Sequence, residues 1–132
     1  MSNLEKNKTV ALKALIVDDN AMNRLVMDRL LRSIGVETVV VASGADALDA
    51  VQNNVIDFIM MDILMPDMDG HEASNLIRGL GYLDLKIFGC SAHSFASDYY
   101  KNHENGMNEH LSKPILLKNI KDLIEKYFDK RL

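Results

Sequence analysis

Short apolar segments that end in charged residues alternate with amphipathic segments along most of this chain. Residues 14–17 run into Asp18 and Asp19, residues 58–61 run into Asp62, and residues 110–112 run into Lys113 and Pro114. Alternation of strand-like and helix-like segments is typical of a parallel sheet that carries helices on both faces. The carboxyl ends of parallel strands meet at one edge of the sheet, where open α/β sheets bind their ligands. The order of these segments therefore predicts an α/β fold with a polar site at that edge.

The periodicity of apolar residues predicts five strands and five helices. The predicted strands cover residues 13–17, 38–42, 56–62, 86–91 and 110–112. The predicted helices cover about residues 21–34, 44–53, 71–80, 95–105 and 117–128. In the first helix, Asn20 is expected to cap the start and Gly35 the end. Its predicted inward face consists of Met22, Leu25, Val26, Leu30 and Ile34.

The predicted fold class is α/β, a doubly wound five-stranded parallel sheet with strand order 2-1-3-4-5. The apolar character of the first and third strands predicts that both are central and buried on both faces. The strand order itself is taken from known doubly wound proteins rather than worked out from the sequence. In that order the first and third strands are neighbours, so Asp18, Asp19 and Asp62 are expected to converge.

Composition limits the class of protein. The 132 residues fit one domain, and the 48% of apolar residues is enough for a hydrophobic core. We expect residues 1–12 to be a flexible lead-in and residues 13–132 to be the domain. The net charge of −4, without a long basic run, argues against nucleic acid as a partner. The single cysteine, Cys90, cannot form a disulfide within the chain, which fits a reducing compartment. No apolar run approaches the roughly 20 residues that cross a bilayer. Together these features predict a cytoplasmic location without membrane contact.

Three carboxylates at one sheet edge point to a divalent cation. In a partly desolvated cleft Asp18, Asp19 and Asp62 would repel one another, and a cation with oxygen ligands relieves that repulsion. Mg²⁺ suits a site with few carboxylates, some water and a phosphoryl oxygen. Each acid alone could be a solvated loop residue, so the prediction depends on all three following buried strands.

The same edge carries residues suited to phosphoryl transfer. Asp62 is the candidate nucleophile, because a carboxylate can attack phosphorus and form an acyl phosphate. Lys113 can offer a point charge to a phosphoryl oxygen, and the following proline restricts the backbone there. Ser91 closes the fourth predicted strand, and its hydroxyl can donate a hydrogen bond to an anion.

Four motifs in order resemble those of a response-regulator receiver domain, most closely the receivers of hybrid sensor histidine kinases. The resemblance spans about residues 13–128 and implies a flavodoxin-like receiver fold. The motifs are Leu15-Ile16-Val17-Asp18-Asp19-Asn20, Met61-Asp62-Ile63-Leu64-Met65-Pro66-Asp67-Met68-Asp69-Gly70, Ser91-Ala92-His93 and Leu111-Ser112-Lys113-Pro114-Ile115.

The resemblance implies a role for each matching residue. Asp62 matches the phosphoacceptor, and Asp18 and Asp19 match the acidic pair that holds Mg²⁺ together with Asp62 and the backbone carbonyl of Leu64. Ser91 matches the hydroxyl that follows the phosphoryl group, and Lys113 matches the lysine that contacts it. The implied function is Mg²⁺-dependent transfer of a phosphoryl group from a phosphohistidine to Asp62, followed by a conformational switch in a two-component phosphorelay.

The chain departs from the common receiver pattern in two places. His110 stands where many receivers have an aromatic switch residue, which argues against a simple aromatic-rotamer switch. Leu64 stands where many have a polar side chain. Leu64 and His93 flank the path of the water that would hydrolyse the acyl phosphate, so we expect slow self-dephosphorylation.

The implied partner is a histidine phosphotransfer protein or a histidine kinase, bound by a monomeric domain. Its helix must lie over the carboxyl edge of the sheet to bring a histidine to Asp62. The expected docking residues are Asn20, Met22, Asn23, Pro114, Ile115 and Leu116. The alternative contact surface is the predicted fourth helix around Tyr99 and Tyr100.

Two other functions stay open at this stage. An aspartate-nucleophile phosphatase has a similar sheet, but its nucleophile ends the first strand with a second acid two residues later. Here Asn20 follows Asp18 at that spacing. A pseudo-receiver would bind a partner without phosphorylation, but it would not require the complete acidic set and Lys113.

Overall fold

The computed structural model describes residues 11–92 and 106–128, which form five strands and four helices. In chain order the elements are β1 (Lys13–Val17), α1 (Ala21–Ser33), β2 (Glu37–Val41), α2 (Gly44–Asn53), β3 (Phe58–Asp62), α3 (Gly70–Gly79), β4 (Lys86–Ser91), β5 (Glu109–Ser112) and α4 (Leu117–Phe128).

The five strands form one parallel sheet in the order β2-β1-β3-β4-β5, which confirms the predicted topology. In the register of the two central strands, Val17 is paired with Met61. On the next pair, Asp62 is opposite Cys90. The ends of β1, β3 and β4 therefore lie side by side at the carboxyl edge, where the polar residues follow.

Among the described elements, two helices pack against each face of the sheet. Ile16, Met60 and Phe88 point to the face covered by α1 and α4, where Leu31 and Ile124 are buried. The residues that alternate with these along the strands point to the face covered by α2 and α3. They form a second core cluster with Leu15, Ile59, Ile87, Ala47, Val51, Ala73 and Ile77. Burial of both faces explains why the central strands are continuous apolar runs.

Polar side chains begin three of the helices. Asn20 accepts a hydrogen bond from the backbone N–H of Asn23, as predicted, and Ser43 and Asp69 cap α2 and α3 in the same way. Gly35 follows α1 with φ of +86°, a conformation that glycine adopts without strain. These caps fix the starts of α1 and α3 directly after the site-bearing strands.

The predicted inward face of α1 is partly wrong. Met22, Leu25 and Val26 are exposed by 65%, 43% and 50%, whereas Leu30 and Ile34 pack against the core as predicted. In α3, Leu76 and Leu80 are likewise exposed, at 43% and 48%. Apolar residues cover much of the circumference of α1, so periodicity alone fits two orientations, and the sheet selects the one that buries Leu31.

Several predictions concern residues outside the described ranges. They are the lead-in over residues 1–10, the helix over residues 95–105, His93, and the alternative contact surface at Tyr99 and Tyr100. Among the helices that are described, none combines the length and apolarity needed to span a bilayer.

Candidate functional site

Three carboxylates converge at the carboxyl edge of the sheet, as the strand ends predicted. Asp18 and Asp19 directly follow β1, and Asp62 ends the neighbouring β3. One carboxylate oxygen from each of the three lies within 4.8 Å of the others. Asp18 and Asp62 are each only 7% exposed, and Asp19 is open to solvent. The cluster thus has two acids in the floor and one at the rim.

Lys113 bridges the two buried acids. Its Nζ lies 3.0 Å from Oδ1 of Asp62 and 3.2 Å from Oδ2 of Asp18. The backbone N–H of Lys113 donates to the carbonyl of Ser91 at 2.7 Å, which fixes this residue beside the end of β4. The peptide bond that follows, to Pro114, is cis. Although burial acts against the charged ammonium, the hydrogen bond and charge of Asp62 raise the pKa of Lys113.

Asp62 holds its proton more tightly than an ordinary aspartate. Burial raises the pKa of Asp62 to about 6, and the charges of Asp18 and Asp19 act in the same direction. The hydrogen bond and charge of Lys113 oppose this rise but do not cancel it. An additional positive charge at the cluster would therefore favour the ionised, nucleophilic form of Asp62.

The connection from β3 to α3 packs directly against Asp62. The N–H of Gly70 donates to the carbonyl of Ile63 at 2.8 Å. A Cβ at position 70 would lie 2.2 Å from the backbone oxygen of Asp62, so only glycine fits there. Within the connection, Asp67 has φ of +67°, and the N–H of Met68 donates to the carbonyl of Pro66. The Pro and Gly residues of the sequence motif thus shape the backbone that supports Asp62.

Ser91 is the last residue of β4, and Leu64 lies two residues after the end of β3. Ser91 ends β4 and is 1% exposed, and its strand neighbour Cys90 lies opposite Asp62. Burial raises the pKa of the Cys90 thiol to about 12, so this cysteine stays protonated and unreactive beside the site. Leu64 follows the buried Ile63, and 53% of it is exposed.

His110 lies on β5 and is partly buried rather than open to solvent. Its ring approaches Gly89 so closely that a Cβ there would lie 3.3 Å from Cδ2 of His110. Burial lowers the pKa of His110, and the neighbouring His71 at the start of α3 lowers it further. His110 occupies the position at which the sequence predicted a departure from the aromatic pattern, and its surroundings favour the uncharged form of the imidazole.

A cleft of about 390 Å³ leads from the acids between α1 and the segment that follows β5. Asp18, Asp62 and Lys113 lie at its polar end, and Val26 and Ile115 belong to its apolar walls. Five of the six predicted docking residues are exposed, and Ile115 is partly buried against the core. Of the six, Asn23, Pro114 and Ile115 line this cleft. The exposed five are Asn20, Met22, Asn23, Pro114 and Leu116.

Two arginines that were not predicted from the sequence stabilise opposite edges of the sheet, Arg24 at the acidic site and Arg78 at the edge where β4 begins. Arg24 donates from Nη1 to the carbonyl of Asp18 at 2.9 Å. Arg78, on α3, donates to the carbonyls of Tyr82 and Gly106 and to Oδ1 of Asn108, and so joins α3 to the start of β5. Both bind mainly backbone carbonyls, and no spacing of residue types in the sequence marks such contacts.

The sequence model of the response regulator receiver domain family matches residues 14–125 of this chain. The sensor histidine kinase RcsC of Escherichia coli K12 is 36% identical over 116 residues, which cover 88% of this chain and 12% of that protein. The hybrid signal transduction histidine kinase L of Dictyostelium discoideum is 38% identical over 122 residues, covering 87% and 7%. The chain therefore spans a small part of the length of these relatives.

A solved structure shares the architecture over nearly the same range. It is the receiver domain of the sensor histidine kinase PA1611 from Pseudomonas aeruginosa PAO1, with a magnesium ion coordinated in its active-site cleft. It has a TM-score of 0.81 and 28% identity, covering 92% of this chain and all of that one.

Proposed function

The chain belongs to the response regulator receiver domain family, a module of two-component and phosphorelay signalling, and we propose that Asp62 is its phosphoacceptor. The donor is a phosphohistidine. An oxygen of the Asp62 carboxylate attacks phosphorus in line, the phosphorus–nitrogen bond breaks, and an acyl phosphate forms. The electron pair of the broken bond returns to the imidazole of the donor.

One observation supports this proposal above the others, the convergence of three carboxylates and one ammonium at the carboxyl edge. Asp62 is the acid of the cluster that ends the fully buried central strand β3. Lys113 already contacts Oδ1 of Asp62, so its ammonium is placed to contact an oxygen of a phosphoryl group bound there. Ser91, at the end of β4, is proposed to donate its hydroxyl to a second phosphoryl oxygen.

We further propose that Asp18, Asp19, Asp62 and the backbone carbonyl of Leu64 hold Mg²⁺. In an octahedral magnesium site adjacent ligand oxygens are about 3 Å apart and opposite ones about 4.2 Å, so oxygens that lie within 4.8 Å of one another can reach a common ion by moving inwards. When bound, the ion would neutralise charge that develops on the transferring group. The magnesium ion in the PA1611 receiver supports the assignment by analogy.

Phosphorylation is proposed to act as a conformational switch. A phosphoryl group adds charge and strong acceptor oxygens beside Lys113 and Ser91, which favours an arrangement of the adjoining loops that satisfies them. The half-buried His110 is proposed to respond as a neighbour of this change and not as an aromatic rotamer switch.

The proposed partner is a helical histidine phosphotransfer protein or a histidine kinase, as the kinase relatives suggest. Exposed Met22, Val26 and Leu116 lie beside the cleft that contains Asp62, and polar Asn20 and Asn23 border them. A small apolar patch with a polar rim suits a modest, transient interface. We also propose that the receiver domain covers residues 13–132, is monomeric, and functions in the cytoplasm, where a free cysteine such as Cys90 stays reduced.

The first prediction tests the phosphoacceptor. With Mg²⁺ and acetyl phosphate, the protein should gain one acid-stable, base-labile phosphoryl group, measured by intact-protein mass spectrometry. Asp62→Asn should abolish the gain. Asp67→Asn is the matched control, because it removes one charge from the exposed loop nearby and Asn tolerates the positive φ of that position.

Other outcomes would separate the alternatives. Equal labelling of Asp62→Asn and the unchanged protein would overturn the assignment. Turnover of a generic phosphate ester would instead indicate a phosphatase. Failure to take up beryllofluoride in the presence of Mg²⁺ would favour a pseudo-receiver.

A further inference from the structure

The guanidinium of Arg24 binds the backbone that carries the acidic pair. Its Nη1 donates to the carbonyl oxygen of Asp18 at 2.9 Å. That carbonyl belongs to the peptide group that joins Asp18 to Asp19. The orientation of this peptide group sets the directions in which both side chains leave the backbone, so the bond from Arg24 acts on two of the three acids at once.

Asp18 lies just past the regular part of the sheet. Its N–H donates to the carbonyl of Val41, the last residue of β2, at a long 3.3 Å. Its Oδ1 accepts the N–H of Asn20 at 2.9 Å. The carbonyl of Asp18 has passed the end of β2, so the side chain of Arg24 takes the place that a further strand residue would fill. Arg24 thereby ties the first turn of α1 to the acidic pair.

We propose that Arg24 is a positioning residue for cation binding at the acidic cluster. This inference rests on the proposed magnesium site of Asp18, Asp19 and Asp62. Arg24 contributes no ligand atom to that site. It holds the peptide between Asp18 and Asp19 in the orientation that directs both carboxylates towards Asp62.

The charge of Arg24 and its hydrogen bond act on cation affinity in opposite directions. A positive charge next to the cluster repels Mg²⁺, so removal of the charge alone would tighten binding. Loss of the hydrogen bond frees the peptide group and weakens binding, since contacts that orient metal ligands commonly contribute tenfold or more to affinity. The sign of the change therefore distinguishes positioning from simple electrostatics.

The test compares Arg24→Gln, Arg24→Lys and the control Arg29→Gln in the full chain. Arg29 is an exposed residue of the same helix, so its substitution changes the net charge equally without contacting Asp18. Mg²⁺ affinity is measured by isothermal titration calorimetry and checked with Mn²⁺ by electron paramagnetic resonance. Melting temperature in EDTA is recorded for every variant.

Arg24→Gln should weaken Mg²⁺ binding about tenfold. Arg24→Lys should weaken it at least as much, because the repelling charge stays while the guanidinium whose Nη1 reaches the carbonyl is lost. Arg29→Gln should leave the affinity unchanged or slightly tighter. Tighter binding in Arg24→Gln with unchanged binding in Arg24→Lys would overturn the positioning role, as would a fall in melting temperature without any loss of affinity.

Failure of the proposed function would look different. If the unchanged protein binds no Mg²⁺, the proposed metal site is wrong, and the role of Arg24 is wrong with it. If the unchanged protein binds Mg²⁺ and Arg24→Gln binds it equally well, only the role of Arg24 is overturned.

Discussion

Asp62 carries a negative charge that destabilises the folded protein when no cation is bound. Its pKa is raised from 3.8 to about 6, chiefly by burial. The folded state therefore binds this proton more tightly than the unfolded state. As pH rises from about 4 to about 6, Asp62 loses its proton in the unfolded state before it does so in the folded state. The free energy of unfolding therefore falls over this range, and the loss is complete above pH 6.

This linkage gives a prediction for Asp62→Asn in EDTA. At pH 8 the variant should exceed the unchanged protein in free energy of unfolding by about 1–2 kcal/mol, because the buried charge is gone. The difference should vanish at about pH 3, below both pKa values, where Asp62 is protonated in both states. Urea unfolding at the two pH values checks this, and equal stability at pH 8 would contradict it.

Leu64 is the residue that we expect to set the lifetime of the acyl phosphate. It lies two residues after Asp62 and is 53% exposed, and its side chain offers no hydrogen bond to an attacking water. Leu64→Asn should therefore speed the loss of phosphate several-fold, measured after removal of the phosphodonor. Leu80→Asn is the control, since Leu80 is similarly exposed at the far end of α3.

An unchanged or slower decay in Leu64→Asn would show that water access is controlled elsewhere. His93, the other flanking residue predicted from the sequence, would then be the next candidate to substitute.

Sequence alone predicted the acids well and the residues that position them poorly. Asp18, Asp19, Asp62 and Lys113 were predictable because each directly follows an apolar strand, and parallel strands bring their ends to one edge. Arg24 was not predictable, because its partner is a backbone carbonyl six residues earlier in the chain. Such a contact depends on the angle at which α1 leaves β1, and no residue type encodes that angle by itself.

At the scale of elements, the start of α3 supports Asp62 through a glycine that no other residue can replace. A Cβ at position 70 would meet the carbonyl oxygen of Asp62 at 2.2 Å and the side chain of Met61 at 2.8 Å. Gly70→Ala should therefore lower the free energy of unfolding by about 2–3 kcal/mol. It should also slow the labelling of Asp62, because the carboxylate moves with its backbone.

Gly79, at the end of the same helix, is the matched control. A Cβ there has no neighbour within 4 Å, so Gly79→Ala should stabilise the protein by about 0.5–1 kcal/mol and leave phosphorylation unchanged. Thermal unfolding and acetyl phosphate labelling of both variants check the pair. Equal stability of the two variants would show that the close approach at Gly70 is relieved by movement of α3.

The elements also show where periodicity fails as a predictor. The helical pattern of α4 has a single apolar stripe, and its residues Ile120, Leu123 and Ile124 are buried. In α1, apolar residues fit two stripes, and the stripe that includes Met22 and Val26 remains exposed. The choice between stripes depends on packing against β1 and α4, which the sequence of the helix does not specify.

At the scale of the whole molecule, exposed apolar side chains lie at both edges of the sheet. Met22 and Leu116 are 65% and 59% exposed near the carboxyl edge, and Leu83, just before β4, is 72% exposed at the opposite edge. Only the carboxyl edge brings a partner within reach of Asp62. Exposure alone does not distinguish the two patches, but the position of the phosphoacceptor does.

Docking at the carboxyl edge leads to the last prediction, which uses the cognate phosphotransfer protein. In an NMR titration, shifts should cluster at residues 20–23 and 114–116, because the donor helix must cover Asp62 to align its imidazole with the carboxylate. Met22→Glu should weaken binding at least tenfold by placing a charge in the apolar contact, whereas the equally drastic Leu83→Glu should leave affinity unchanged. Shifts centred on Tyr99 and Tyr100, or equal effects of the two variants, would show that the contact surface does not include α1. The partner would then bind at one surface and bring its histidine to Asp62 across another. A single rigid helix over the sheet edge does not provide that geometry.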